Sequence, residues 1–124
     1  MAGALIAAAL VVAGCGDSVT GLENVEVTNN TDSFQLQGSA NGVSQTLSYT
    51  WQITGTTANI DQSGTVTGGS ATLTVLDDAG TQVYTRSLSE TGSFASDAGD
   101  AGSWTIRVVL SDMSGVVNFR AQKP

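Results

Sequence analysis

The sequence predicts an all-β protein, an antiparallel β-sandwich of jelly-roll or Ig-like type, that follows an N-terminal hydrophobic signal segment. Two observations carry that prediction. From Leu22 onward apolar residues recur with a period of two, not 3.6, and runs of Thr, Val and Ser are broken at short intervals by Gly, Asn and Asp. Ahead of them, residues 2–13 are Ala, Leu, Ile or Val except for Gly3, a run as long as a secretory h-region and too short to span a membrane. The chain therefore divides into a signal segment (1–14), Cys15 with a short polar tether (15–21) and one domain (22–124). Removing the first 14 of the 124 residues leaves 110, enough for one core and too few for two.

The elements are expected in this order. A first strand near Leu22–Thr28 sets Val25 and Val27 against Glu26 and Thr28. Asn29–Asp32 turns the chain into a second strand holding Phe34 and Leu36 and ending at Gly38. Asn41-Gly42 is the strongest short turn signal, because both residues tolerate the positive φ of a type I′ hairpin. In the strand from Ser44 to Thr54, Leu47, Tyr49, Trp51 and Ile53 share one face, and Ser48, Thr50, Gln52 and Thr54 share the other. Asn59–Thr67 reads as a weaker edge strand broken at Gln62-Ser63-Gly64. Ala71–Leu76 is turned by Asp77-Asp78-Ala79-Gly80 into Gln82–Leu88, and Ser89–Gly102 is a loop or irregular strand pinned by Phe94. Trp104, Ile106, Val108 and Leu110 line a long strand, Asp112–Gly115 reverses it, and Val117, Phe119 and Ala121 line the last.

The apolar run closes on Val12-Ala13-Gly14 and then on Cys15, the only cysteine in the chain. Val12-Ala13-Gly14-Cys15 resembles the bacterial lipobox, in which small residues let a lipoprotein signal peptidase cut before a cysteine whose sulfur carries diacylglycerol. The resemblance implies a mature protein that begins at Cys15, acylated on sulfur and usually on its new amine. More than one chain matters, since each buried CH₂ contributes about 0.8 kcal/mol and a single chain anchors only marginally. Met1-Ala2-Gly3 departs from the usual signal in having no Lys or Arg. In enterobacteria an Asp directly after the lipidated cysteine holds a lipoprotein at the inner membrane. Gly16 takes that place here and Asp17 follows, so the resemblance implies the outer membrane of a bacterial cell envelope.

All eleven acidic and all four basic residues follow Cys15, and the net charge is -7. Such a surface repels phosphate, which argues against nucleic acid and against a basic membrane patch; the membrane is then reached through lipid on Cys15. No second cysteine exists for an internal disulfide, so stability rests on packing. His is absent and Cys15 is committed, which removes the usual zinc and copper ligands and the base of a catalytic triad. Neither a Gly-x-Ser-x-Gly elbow nor a phosphate-cradling Gly-x-x-x-x-Gly-Lys occurs. No catalytic set and no cofactor is expected.

Thr72–Gly80, a second strand, a loop closing on Ala101-Gly102-Ser103-Trp104, and Ser114-Gly115-Val116-Val117-Asn118-Phe119 together resemble the closing half of bacterial pre-peptidase C-terminal domains. In those jelly-roll sandwiches an Asp-x-x-Gly turn joins two strands and an Ala-Gly pair leads an aromatic into the penultimate strand. Trp104 stands where that family more often has Tyr. The resemblance covers about half the chain and implies a sandwich with an accessory role.

Few residues then remain for a site. Asp77 and Asp78 are either turn acceptors for backbone N–H groups or hard oxygen ligands for calcium. With Asp97 and Asp100 they are the only carboxylates that could hydrolyse a glycoside. Trp51 and Tyr84 are the candidates for stacking on sugar rings, Tyr84 being the better one because it shares a face with Gln82 and Arg86. The expected role is non-catalytic: structural, adhesive or protein-binding in the envelope, with a glycan-binding module or a carboxylate hydrolase as alternatives. The partner is then an envelope protein or polysaccharide; an uncovered strand edge binds protein without special residues.

Overall fold

The computed structural model describes residues 21–124. They form seven strands, β1 (Glu23–Asn30), β2 (Ser33–Ile53), β3 (Asn59–Gln62), β4 (Thr65–Leu76), β5 (Gln82–Ser87), β6 (Gly92–Ala95) and β7 (Gly102–Gln122), all paired antiparallel. The expected all-β sandwich is what forms. Two 21-residue strands, β2 and β7, run through it and pair from Ser33↔Gln122 to Ile53↔Gly102. Their outer halves belong to different layers. One layer reads β1, the first half of β2, the second half of β7, β3 and β6; the other reads the second half of β2, the first half of β7, β4 and β5. The layers face each other across one core, where Phe34 meets Tyr49 from the far half of its own strand at 5.3 Å between ring centroids.

A crease makes two layers out of two strands. Asn41-Gly42 and Asp112–Gly115 do not reverse the chain as their composition suggests. They lie opposite one another, Ala40 pairing with Gly115 and Val43 with Met113, and the residues between form bulges that bend both strands together. Gly42 (φ 66°), Asp112 (φ 47°) and Gly115 (φ 131°) absorb the bend. Gly42 N donates to Ser114 Oγ and Asp112 N to Ser44 Oγ, so the bulged backbone is bridged by side chains. The third strand bends at the same level: the pairing of β4 with β7 shifts on both sides of Gly68, and a Cβ at Gly69 would collide with the carbonyls of Ser111 and Asp112. Glycine is required there because backbone fills the space a side chain would take.

Inside the crease the alternation predicted for Leu47–Ile53 and Trp104–Leu110 holds. Trp51 stands opposite Trp104 in register, edge to face at 87° and 6.1 Å, while Phe34 stacks on Phe119. Such aromatic pairs contribute about 0.5–1.5 kcal/mol each beyond their burial. Leu73, Val75, Ile106 and Val108 complete the centre, all fully buried.

Two expectations are corrected. Val25 and Val27 are exposed, because among the described residues β1 has only β2 beside it and ends its layer. β3 is not an edge strand; it pairs with both β7 and β6. Of the two readings of Ser89–Gly102, a loop or an irregular strand, a short strand forms: β6, whose Phe94 pairs with Ile60 and packs against the core.

Candidate functional site

Val12, Ala13, Gly14 and Cys15 lie outside the described residues. The body starts with Gly21 and Leu22, and Leu22 packs against the core beside Gly38.

The Asp77–Gly80 turn is built by its first side chain. Asp77 is nearly buried, and its Oδ1 accepts from the N–H groups of Ala79 (3.0 Å) and Thr81 (2.8 Å), its Oδ2 from that of Asp100 (2.8 Å). These bonds hold its carboxyl below the ordinary carboxylate range, the Asp100 N–H first and the Thr81 N–H next, against an opposing effect of burial. Asp78 Oδ1 accepts from Ser103 N, and the Asp100 carbonyl from Trp104 Nε1 at 2.7 Å. The turn thus clamps the loop that leads into β7. Donor N–H groups surround Asp77 where a calcium ion would need bare oxygens, and among the described residues no three acidic, His or Cys side chains are grouped to hold a metal.

Both stacking candidates are core residues. Trp51 is fully buried and donates through Nε1 to the Asn30 carbonyl. Tyr84, expected at the surface, is 7% exposed and donates its hydroxyl to Gln62 Oε1 at 2.7 Å. A register shift between Val75 and Leu76 breaks the alternation of β5, so Val83 and Tyr84 both turn inward. Neither ring offers a face to a sugar.

The feature that sequence reasoning left unlocated is the edge beside that tyrosine. A shallow groove of about 260 Å³ is lined by Gln82–Arg86 of β5, Ala95 of β6 and Asp97. Among the described residues β5 pairs only with β4. Leu88 N donates to the Ala71 carbonyl, which makes 88 and 71 a hydrogen-bonded pair; by alternation Arg86 and Tyr84 also bond β4, and Thr85 turns its N–H and C=O outward. Val83 O already accepts from Asp97 N, and Ser87 O from Gln62 Nε2 and Glu90 N. Among the described residues the Thr85 main chain forms no hydrogen bond on that side. Next to it the Arg86 guanidinium lies 3.8 Å from the centroid of Phe94 and donates to Glu90 at 2.8 Å. The Glu90 bond is the chief reason its pKa is raised. Its Nε is buried with no partner among the described residues. The site offers a short stretch of open strand edge with a cation and a carboxylate on its rims, a geometry for an extended peptide.

No protein-family model matches the chain, and no curated protein matches it.

Proposed function

We propose that the chain is a lipid-anchored, non-catalytic β-sandwich of the bacterial cell envelope that holds a protein partner along the open edge of β5. The observation that carries this reading is the outward Thr85 main chain in the groove between β5 and β6. Main-chain pairing supplies affinity in such a contact, and Arg86 and Asp97 on the rims supply selectivity. The lipobox-like Val12-Ala13-Gly14-Cys15 supports the anchor, with the outer membrane as destination. The resemblance to accessory pre-peptidase C-terminal domains supports a role beside another protein. Both Asp77 oxygens and Asp78 Oδ1 accept from backbone donors, which gives these carboxylates a structural duty. With Trp51 and Tyr84 in the core, stacking on glycan has no platform among the proposed rings.

Two measurements test the reading. Mass spectrometry of the mature amino terminus should find acylated Cys15, and Cys15→Ser should move the protein out of the detergent phase. A photo-crosslinking residue at Thr85 should give one discrete protein adduct in intact cells, where the same residue at Asn118 on the outer face of the other layer gives none. Equal labelling from both positions rules out the β5 edge.

A further inference from the structure

We infer that the side of the sandwich between β1 and the second half of β2 faces the lipid surface, with Val25 and Val27 at the bilayer interface; the inference rests on the lipid anchor proposed above. The sandwich has two open sides, where edge strands of opposite layers meet, and they are built differently. On the β5–β6 side, the Asp97 N–H bond to Val83, the Tyr84 hydroxyl on Gln62 and the Arg86 guanidinium over Phe94 tie the layers together around the open Thr85 main chain. On the other side the edges are tied, among the described residues, at one end only. Asn29 Nδ2 donates to the Thr50 carbonyl, Trp51 Nε1 to that of Asn30, and Asp32 N to that of Gln52.

Away from those bonds, and among the described residues, the seam is open and mostly apolar, with Gln45 beside Gly21 as its polar member. Val27 stands opposite the buried Leu36, which puts it on the core-facing side of β1, yet it is 41% exposed. Val25 packs over Gly38 and is 44% exposed. Half-buried Leu22, Leu47 and Tyr49 continue the strip inward. The two other exposed valines, Val109 and Val116, stand opposite Thr46 and Thr65 on the outer faces and belong to no such strip.

Covalent geometry selects lipid as the occupant. Only six residues, Gly16–Gly21, separate Cys15 from Leu22, and fully extended the seven links between them reach at most about 25 Å. Leu22 is packed into this seam, so an acyl chain on Cys15 holds this side, and not the β5 side, next to the bilayer. The charged rim is acidic, Glu23 and Glu26, with no cation on β1, which fits a shallow apolar contact with zwitterionic lipid and disfavours anionic headgroups. The same orientation turns the Thr85 groove away from the membrane, toward a partner.

The test uses the full chain, acylated in cells and reconstituted in phosphatidylcholine vesicles, with a nitroxide on Val27→Cys or, in a second preparation, on Thr85→Cys. The Val27 label should show severalfold greater accessibility to oxygen, relative to a water-soluble nickel chelate, than the Thr85 label. Protein that sediments with the vesicles while both labels stay equally open to the chelate overturns the orientation and leaves the anchor intact. Protein that fails to sediment overturns both. A Val27 label shielded from both reagents even without vesicles means that protein covers the seam, a second copy or the chain itself, and also overturns the inference. Val25→Cys carries the same measurement where Val27→Cys fails to fold.

Discussion

Gly115 packs directly against the carbonyl of Thr65, with φ at +131°, so tightly that any Cβ would overlap the Thr65 oxygen. This contact fixes how sharply β7 bends beneath β4, and with it the separation of the layers. Gly115→Ala is expected to cost about 1–3 kcal/mol from backbone strain alone, with the collision added. Gly80, at φ +85°, has nothing within 4 Å of a built Cβ, so Gly80→Ala should cost only the left-handed penalty of about 1–2 kcal/mol. Urea unfolding midpoints compare the two directly. Equal losses would mean that the crease tolerates a side chain.

Acid stability should be governed by carboxyls that accept backbone bonds. Asp77 is held below the ordinary range chiefly by the Asp100 and Thr81 N–H groups, and Asp32 chiefly by the Thr54 N–H with help from the Thr54 hydroxyl and Lys123. A carboxyl whose pKa is lower in the folded than in the unfolded chain stabilises while ionised. Its contribution is complete above the unfolded value near 3.8 and is lost as pH falls through the folded value. With no histidine in the chain, none contributes a step between pH 5 and 8. Asp77→Asn puts an NH₂ where an acceptor is needed, so it should lower Tm by several degrees at pH 7 and flatten the loss of stability below pH 4. Thermal scans across pH 2–7 check both; an unchanged acid slope would assign the effect to other carboxyls.

The strands were legible where burial on one face imposes a period of two, as at Leu47–Ile53 and Trp104–Leu110. The crease was not. Asn41-Gly42 has the same local chemistry whether it closes a hairpin or forms a bulge, and what decides is its partner, Ser114, 72 residues away. Asp112–Gly115 poses the same ambiguity, and each segment resolves the other only once paired. Tyr84 was misplaced for a related reason, since one bulged residue moves every later side chain of a strand to the other face. The open main chain at Thr85 has no signal in side-chain identity at all, because it depends on which strand ends the sheet.

Removing the Tyr84 hydroxyl should be costly although the ring remains. In Tyr84→Phe the Gln62 Oε1 acceptor, inside a side chain that is 2% exposed, loses its partner across the layers. Stranding a buried acceptor costs about 1–3 kcal/mol. Gln62 Nε2 keeps its bonds to the Ser87 and Glu90 carbonyls, so the amide cannot turn to compensate without breaking them. Urea denaturation of Tyr84→Phe measures the loss, and a change under about 0.5 kcal/mol would indicate that water replaces the hydroxyl.

The β5 edge can be tested without disturbing the core, because Thr85 is exposed and its backbone makes no ladder bond to β4. Proline at such a position removes an outward N–H and leaves the sheet's own bonds in place. Thr85→Pro should cost more than about 1 kcal/mol, because it moves φ from a strand value toward about −65°, and should abolish capture of the partner that crosslinks at this edge while urea unfolding stays cooperative. Thr85→Val removes the side-chain bond to Thr74 Oγ1 but keeps the main-chain donor, so it should bind as the parent does. Loss of binding in both variants would place recognition in the threonine side chain. Retention in both would place the partner elsewhere on the sandwich. Only the split between proline and valine identifies an added strand, since only main-chain pairing distinguishes an absent N–H from an absent hydroxyl.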